Sequence, residues 1–323
     1  MLDISSKNVR AWSKLGSRGT LGSALLDLAS SKENLVVLSA DLGNTSGLGR
    51  FMNAYPNRFY NLGIAEPNMV GVAAGMAKEG NCVFATTFSN FLAMRSYEQI
   101  RLNMGYMQFP INLVGVGSGF EMGLFGNTHY GIEDMALMRA VPNMTLLSPA
   151  DGAEIIKTVN AAAAYAKPVY IRLTGGMNLP IVYKEDYEFE IGRAVTLRGG
   201  DDVTIIATGT MVYESLCAAE HLAEQGIEAE VVDMHTIKPL DTSVIDRAVS
   251  KKLIVTVEEH SIVGGLGGAV AEYKTILHSA PPQLFIGVPD TFGKAGEYKW
   301  MLEHYGLTAK EIAKKIFDKY ILQ

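Results

Sequence analysis

Short β-branched, apolar runs alternate with segments of helical apolar spacing along almost the whole chain, and this alternation constrains the fold more than any other feature. After Gly19 the segment TLGSALLDLASS has helical spacing, and residues 35–40, LVVLSA, read as a buried strand. Residues 67–78 read as a helix, CVFATTF as a strand, residues 89–104 as a helix and INLVGVG as a strand. A strand at 144–148, a helix at 151–166 with Asp151 as its N-cap, and the strand PVYIRL follow. Such alternation predicts a parallel sheet with helices on both faces. The rhythm breaks at LPIVYKEDYEF, residues 179–189, which is charged, contains proline and lacks helical period. A second alternation runs through DVTIIATG, a helix at 212–224, EAEVVDM, a helix at 243–250, KLIVTVEE, a helix at 267–277 and QLFIGV, and an amphipathic helix at 309–320 closes the chain. The expectation is an α/β chain of two doubly wound domains, residues 1–180 and 191–323, joined by a linker at 181–190.

Bulk properties narrow the partners. With 48% hydrophobic and 19% charged residues the chain can bury two cores. A net charge of -6 leaves no basic excess for a nucleic-acid backbone, so nucleic acid is not an expected partner. Cys82 and Cys217 sit in apolar runs and read as two buried thiols rather than a disulfide. No run of ~18 apolar residues suggests a membrane span, and the N-terminal stretch lacks a signal-peptide core. A cytoplasmic setting is expected.

The Gly-Gly-Leu-Gly-Gly run at 264–268 does not complete the spaced dinucleotide fingerprint, and tight-turn and helix packing explain it better. Glu258, Glu259 and His260 at a strand end imitate a metal cluster. Strand geometry sends neighbours to opposite faces, so loop anchoring is the expected role. Three other segments carry chemistry. In Asn61-Leu-Gly-Ile-Ala-Glu66-Pro a carboxylate stands at a helix start, where the helix dipole favours it. In Thr86-Thr-Phe88-Ser-Asn-Phe91 two aromatics lie three apart at a strand-to-helix junction. In Phe125-Gly-Asn-Thr-His129-Tyr-Gly a histidine lies in a glycine-flanked loop. Taken singly these are a capping carboxylate, core rings and an incidental histidine.

Together, in this order and spacing, they resemble the pyrimidine-binding domain of the transketolase family. The resemblance continues through Val-Asp233-Met-His-Thr-Ile-Lys-Pro-Leu into what is similar to the transketolase C-terminal domain. The Ile-Ala-Glu66 turn is shared with deoxyxylulose-phosphate synthases and 2-oxoacid dehydrogenase beta subunits. The Thr-His129 loop and the following Arg139-Ala-Val-Pro-Asn point to the transketolase and deoxyxylulose-phosphate synthase branch. The resemblance implies thiamine diphosphate as cofactor and transfer of a two-carbon ketol unit from a ketose to an aldose. It implies that Glu66 hydrogen-bonds the aminopyrimidine and favours the tautomer that takes the thiazolium proton. It implies that Phe91 stacks on that ring with Phe88 beside it, and that Asp41 lies near the cofactor. On the substrate side it implies that His129 meets donor hydroxyls and that Arg18 and Arg172 hold a sugar phosphate. The structural alternatives are that Arg18 marks a helix start and Arg172 pairs with a core carboxylate.

Two departures and one absence complete the reading. Phe125 stands where the family has an aspartate that reads a sugar hydroxyl, and Gly117 aligns with a histidine that assists phosphate binding. An unusual or deoxygenated sugar is therefore expected. The Gly-Asp-Gly motif with which the family holds Mg2+ and the diphosphate does not occur in this sequence. The expectation is a partner, an N-terminal thiamine-diphosphate-binding subunit that supplies the metal site, in a dimer of heterodimers. A 2-oxoacid dehydrogenase beta subunit, half of a deoxyxylulose-phosphate synthase, and a non-catalytic scaffold remain as alternatives.

Overall fold

The computed structural model describes residues 2–322. Strands β1 (Leu35–Ser39), β2 (Phe59–Asn61), β3 (Cys82–Phe88), β4 (Ile111–Ser118), β5 (Thr145–Leu147) and β6 (Val169–Thr174) pair in parallel in the order β5-β6-β4-β3-β1-β2. Strands β7 (Val195–Arg198), β8 (Val203–Ala207) and β9 (Ala229–Asp233) begin the second half of the chain, followed by β10 (Thr236–Lys238), β11 (Leu253–Ser261) and β12 (Gln283–Val288). The second sheet has the order β12-β11-β8-β9-β7, with β7 antiparallel. Strand β10 crosses over and pairs antiparallel with β5, making the first sheet seven-stranded. The expected α/β class, with parallel sheets under helices, is what forms.

Residues of β1 and β4 are buried throughout, as strands covered on both faces require. Successive side chains of β3 feed different cores: Phe84 and Phe88 pack with Trp12, Leu21 and Leu25, whereas Val83 and Ala85 pack with Met69, Leu92 and Met135. The first helix, Ser6–Ser31, is longer than expected and is interrupted at Gly16, whose φ of 75° lies in the region that favours glycine. Residues 89–104, expected as one helix, form wide π turns at Phe91–Arg95 and Arg101–Tyr106 around Tyr97–Ile100. Cys82 and Cys217 are free thiols, but half-buried rather than buried. Among the described residues no helix is long and apolar enough to cross a membrane.

No helix or strand forms between β6 and β7, yet this stretch is fastened firmly. Asp151 caps the helix Gly152–Ala164, accepting from the Glu154 N–H at 2.9 Å, and its other oxygen accepts from the N–H groups of Val182 and Tyr183, each at 2.8 Å. The Tyr183 hydroxyl donates to Asp233 at 2.6 Å and the Tyr187 hydroxyl to Glu154 at 2.9 Å, with the two rings stacked 3.8 Å apart. Burial pushes the Asp233 carboxyl up to about 7 and raises that of Glu154.

The acidic end of β11 anchors loops, as expected. Glu258 accepts from the N–H groups of Leu266 and Gly267 at 2.7 and 2.8 Å. A Cβ at Gly267 would come within 2.4 Å of the Phe285 ring, so the glycine run lets a helix approach a strand. Glu259 accepts from the Phe120 N–H at 2.6 Å and from the hydroxyls of Thr210 and Tyr298, each at 2.8 Å. It thereby ties the second sheet to the loop that follows β4.

Candidate active site

That loop is closed at its base. The N–H and C=O groups of Gly119 and Gly131 bond reciprocally, at 2.8 and 3.2 Å. Gly126, at φ 73°, turns the backbone so that its carbonyl accepts from the His129 N–H at 2.9 Å. The Thr128 hydroxyl lies 2.8 Å from His129 Nδ1, leaving Nε2 for another partner. Asn90, just beyond β3, donates to the Thr128 carbonyl at 2.7 Å and fixes the loop against the strand end.

Four of the expected residues meet there. The His129 ring lies 5.4 Å from that of Phe91, 6.0 Å from Phe88 and 5.1 Å from Phe125, and Phe88 and Phe91 are 5.6 Å apart with tilted planes. Phe125 is 62% exposed, so its ring forms an apolar rim rather than core. Glu66 joins them as the first residue of the helix Glu66–Lys78. Its residue is only 3% exposed, and its carboxylate accepts from Arg95 Nη1 at 2.8 Å. The Arg95 guanidinium carbon lies 3.7 Å from the Phe91 ring centroid. Sequence reasoning gave Arg95 no role. The signal was its place four residues after Phe91, which the π turn brings over the ring.

Asp41 stands at the end of β1, exposed and at φ 59°. Asn61 holds it, accepting from its N–H and donating to its carboxylate, both at 3.0 Å, and also accepting from the Gly63 N–H at 3.0 Å. This clasp joins the end of β1 to the turn that delivers Glu66. At Gly117 a side chain would begin 2.8 Å from Met122 and 3.2 Å from Phe88, on backbone at φ 68°. The geometry there suits glycine and disfavours a histidine.

The two arginines separate. Arg172 is corrected from substrate ligand to buried structural residue. It is 1% exposed, pairs with Asp134 at 3.0 Å and donates to the carbonyls of Gly131 and Glu259 at 2.8 and 2.7 Å. Its guanidinium knits β6, the loop base and β11 together, and no anion in solvent reaches it. Arg18 is 30% exposed in its side chain. Its Nε lies 2.8 Å from Glu121, and its Nη1 donates to the Thr45 carbonyl at 3.2 Å. Glu121, also missed from sequence, has a side chain 2% exposed. Burial pushes its carboxyl up to about 7, Arg18 opposing the rise and Glu259 adding to it.

A buried carboxylate linked through one guanidinium to an aromatic face, with a second ring and an imidazole around that face, suits a flat heteroaromatic ring with a nitrogen that shares a proton. Among the described residues no group of three or more His, Cys, Asp or Glu is placed to hold a metal ion.

Comparison with known proteins agrees with this geometry. Residues 13–178 match the family model for the transketolase pyrimidine-binding domain, and residues 192–312 match that for the transketolase C-terminal domain. A putative transketolase C-terminal section from Methanocaldococcus jannaschii is 43% identical, covering 94% of this chain and 96% of that protein. A 6-deoxy-6-sulfo-D-fructose transketolase subunit from a Clostridium species is 41% identical, covering 92% of each. Among solved structures, a split-gene transketolase described as an inactive β4 tetramer superposes with a TM-score of 0.87 at 41% identity, covering 95% of this chain and 98% of that one.

Proposed function

This chain belongs to the transketolase family, and from that membership we propose that it is the pyrimidine-binding subunit of a two-chain, thiamine-diphosphate-dependent transketolase. The observation that carries the reading is the buried Glu66 carboxylate joined through Arg95 to the face of Phe91, around which the Phe88 and His129 rings gather. When bound, thiamine diphosphate would supply a nucleophilic thiazolium carbon for a ketose carbonyl and, in its cationic ring, an electron sink for the carbanion that C–C cleavage leaves on the donor. Glu66 holds the aminopyrimidine nitrogen and shares its proton. Phe91 gives that ring a stacking face, Phe88 closes its edge, and Asp41 lies toward the cofactor from the end of β1. His129 hydrogen-bonds donor hydroxyls through Nε2. Arg95 now makes both contacts assigned to the aminopyrimidine, one to the face of Phe91 and one to Glu66. It yields them when the cofactor enters.

Residues 1–180 form the pyrimidine-binding unit, 181–190 the linker and 191–323 the C-terminal unit in this reading. The diphosphate and its Mg2+ are held by a partner, the N-terminal subunit, in a dimer of heterodimers. The split-gene enzyme described as an inactive β4 tetramer supports the need for that partner. The Clostridium relative, named for a sulfonated deoxy-sugar, supports an unusual sugar as substrate. In the assembled complex, transfer of a two-carbon ketol unit between sugars is expected to exceed decarboxylation of 2-oxoacids. Initial rates with both substrate classes test this, and the reverse order would assign the chain to a 2-oxoacid dehydrogenase.

A further inference from the structure

A cavity of about 450 Å³ opens at the C-terminal ends of β4, β6 and β8, the edge where sheets of this class receive ligands. Glu121 lines it beside the glycine pair Gly175–Gly176, and the loop that carries Glu121 also carries Phe125 and His129. The charged residues of its lining are Glu121, Glu214 and Lys299. Arg18 is paired with Glu121. Two carboxylates against one lysine and one arginine leave no net positive charge for a dianion.

We infer that Glu121 cancels Arg18 as an anion receptor, so that this cavity takes the uncharged end of an unphosphorylated sugar. Three observations converge. Arg172 is buried against Asp134 and unavailable. Arg18 already uses its Nε on Glu121 and an Nη on the Thr45 carbonyl. Both Glu121 oxygens are sealed from solvent, with no described hydrogen-bond donor besides the Arg18 ion pair and a backbone contact at Gly117. Drawing Arg18 toward a phosphate would take from this sealed carboxyl the one side-chain partner described for it, and a buried polar group left unpaired is costly. Sugar hydroxyls ask for no such exchange. The Gly175–Gly176 backbone and Asn178 offer them uncharged hydrogen-bonding groups along the cavity wall. The protonated form of Glu121, which Gln imitates, would release Arg18.

The inference deepens the ketol-transfer reading but depends on it only for the word sugar. Its first test therefore uses the full chain and inorganic phosphate, followed through the Arg18 Nε–H resonance by NMR. Glu121→Gln is expected to bind phosphate at least about tenfold more tightly than wild type, the yield of one freed charge-assisted hydrogen bond. The double variant Glu121→Gln, Arg18→Gln should lose that gain. Glu121→Gly, checked for its melting temperature, should behave as Glu121→Gln does and guards against a folding effect. The second test offers ribose and ribose 5-phosphate as competing acceptors to the assembled complex. Wild type is expected to favour ribose, and Glu121→Gln to move the ratio at least about tenfold toward the phosphate, read in KM. Wild-type phosphate binding as tight as the variant's, or a wild-type preference for ribose 5-phosphate, would overturn the inference. Absence of ketol transfer with either sugar, beside the expected phosphate titration, supports the Arg18–Glu121 pairing and removes ribose as the acceptor, while the transketolase reading is decided by the ketol-transfer and decarboxylation rates compared above.

Discussion

Glu66→Gln is expected to slow deprotonation of the bound thiazolium carbon by ~10²–10⁴-fold in the assembled complex. Glutamine keeps the shape and one acceptor oxygen but cannot share a proton with the aminopyrimidine. Glu66 opens the helix Glu66–Lys78 and its carboxylate contacts Arg95, which is half exposed and can turn to water. The substitution therefore leaves the sheet and its cores intact, and assembly with the partner should persist. Hydrogen–deuterium exchange at the thiazolium carbon, followed by NMR, reads this step apart from any sugar chemistry. Exchange at the wild-type rate in the variant would remove Glu66 from the mechanism.

The second large effect is one of selectivity. Phe125→Asp should raise kcat/KM for a hydroxylated ketose donor and lower it for deoxy-sugar substrates. The Phe125 ring is exposed and lies 5.1 Å from the His129 ring, so it presents apolar surface directly beside the imidazole proposed to meet substrate hydroxyls. A hydroxyl pointed at that ring loses its water and gains no partner, whereas a methyl-sized group fits. Pockets discriminate such groups by ~10–200-fold. Gly117 belongs to the same departure, because its left-handed backbone and its closeness to Met122 leave little room for a histidine. Paired kinetics of wild type and variant, on hydroxylated and deoxy sugars, decide the matter. A wild-type complex that handles xylulose and ribose phosphates with ordinary transketolase efficiency would end this account of Phe125, and would count against the Glu121 inference as well.

What was legible in the sequence is what local pattern governs. The run CVFATTF became β3, because a strand covered on both faces must be continuously apolar or β-branched, and QLFIGV became the edge strand β12, in which only the last three residues are buried. Asp151 capped its helix, and Glu258 anchored the glycine run, because those contacts lie within a few residues or across one turn. The meeting of Phe88, Phe91, His129 and Glu66 followed from family motifs rather than from periodicity. Long-range electrostatics was not legible. Arg172 and Asp134 are 38 residues apart, and nothing local distinguishes a guanidinium buried against a core carboxylate from one aimed at a substrate. The Arg18–Glu121 pair escaped for the same reason. Strand β10 was missed because three residues carry too little pattern, and its place at the edge of the first sheet is a tertiary choice. The π turns after Asn90 keep helical composition and change only the winding, which apolar spacing does not report.

The central claim is that this chain holds one half of a cofactor site and a partner holds the other. Calorimetric titration of thiamine diphosphate with Mg2+ into the chain alone, the partner alone and the mixture tests it most directly. The account predicts weak or no binding to the chain alone and tight binding once the two are mixed. Micromolar binding by this chain alone would contradict it.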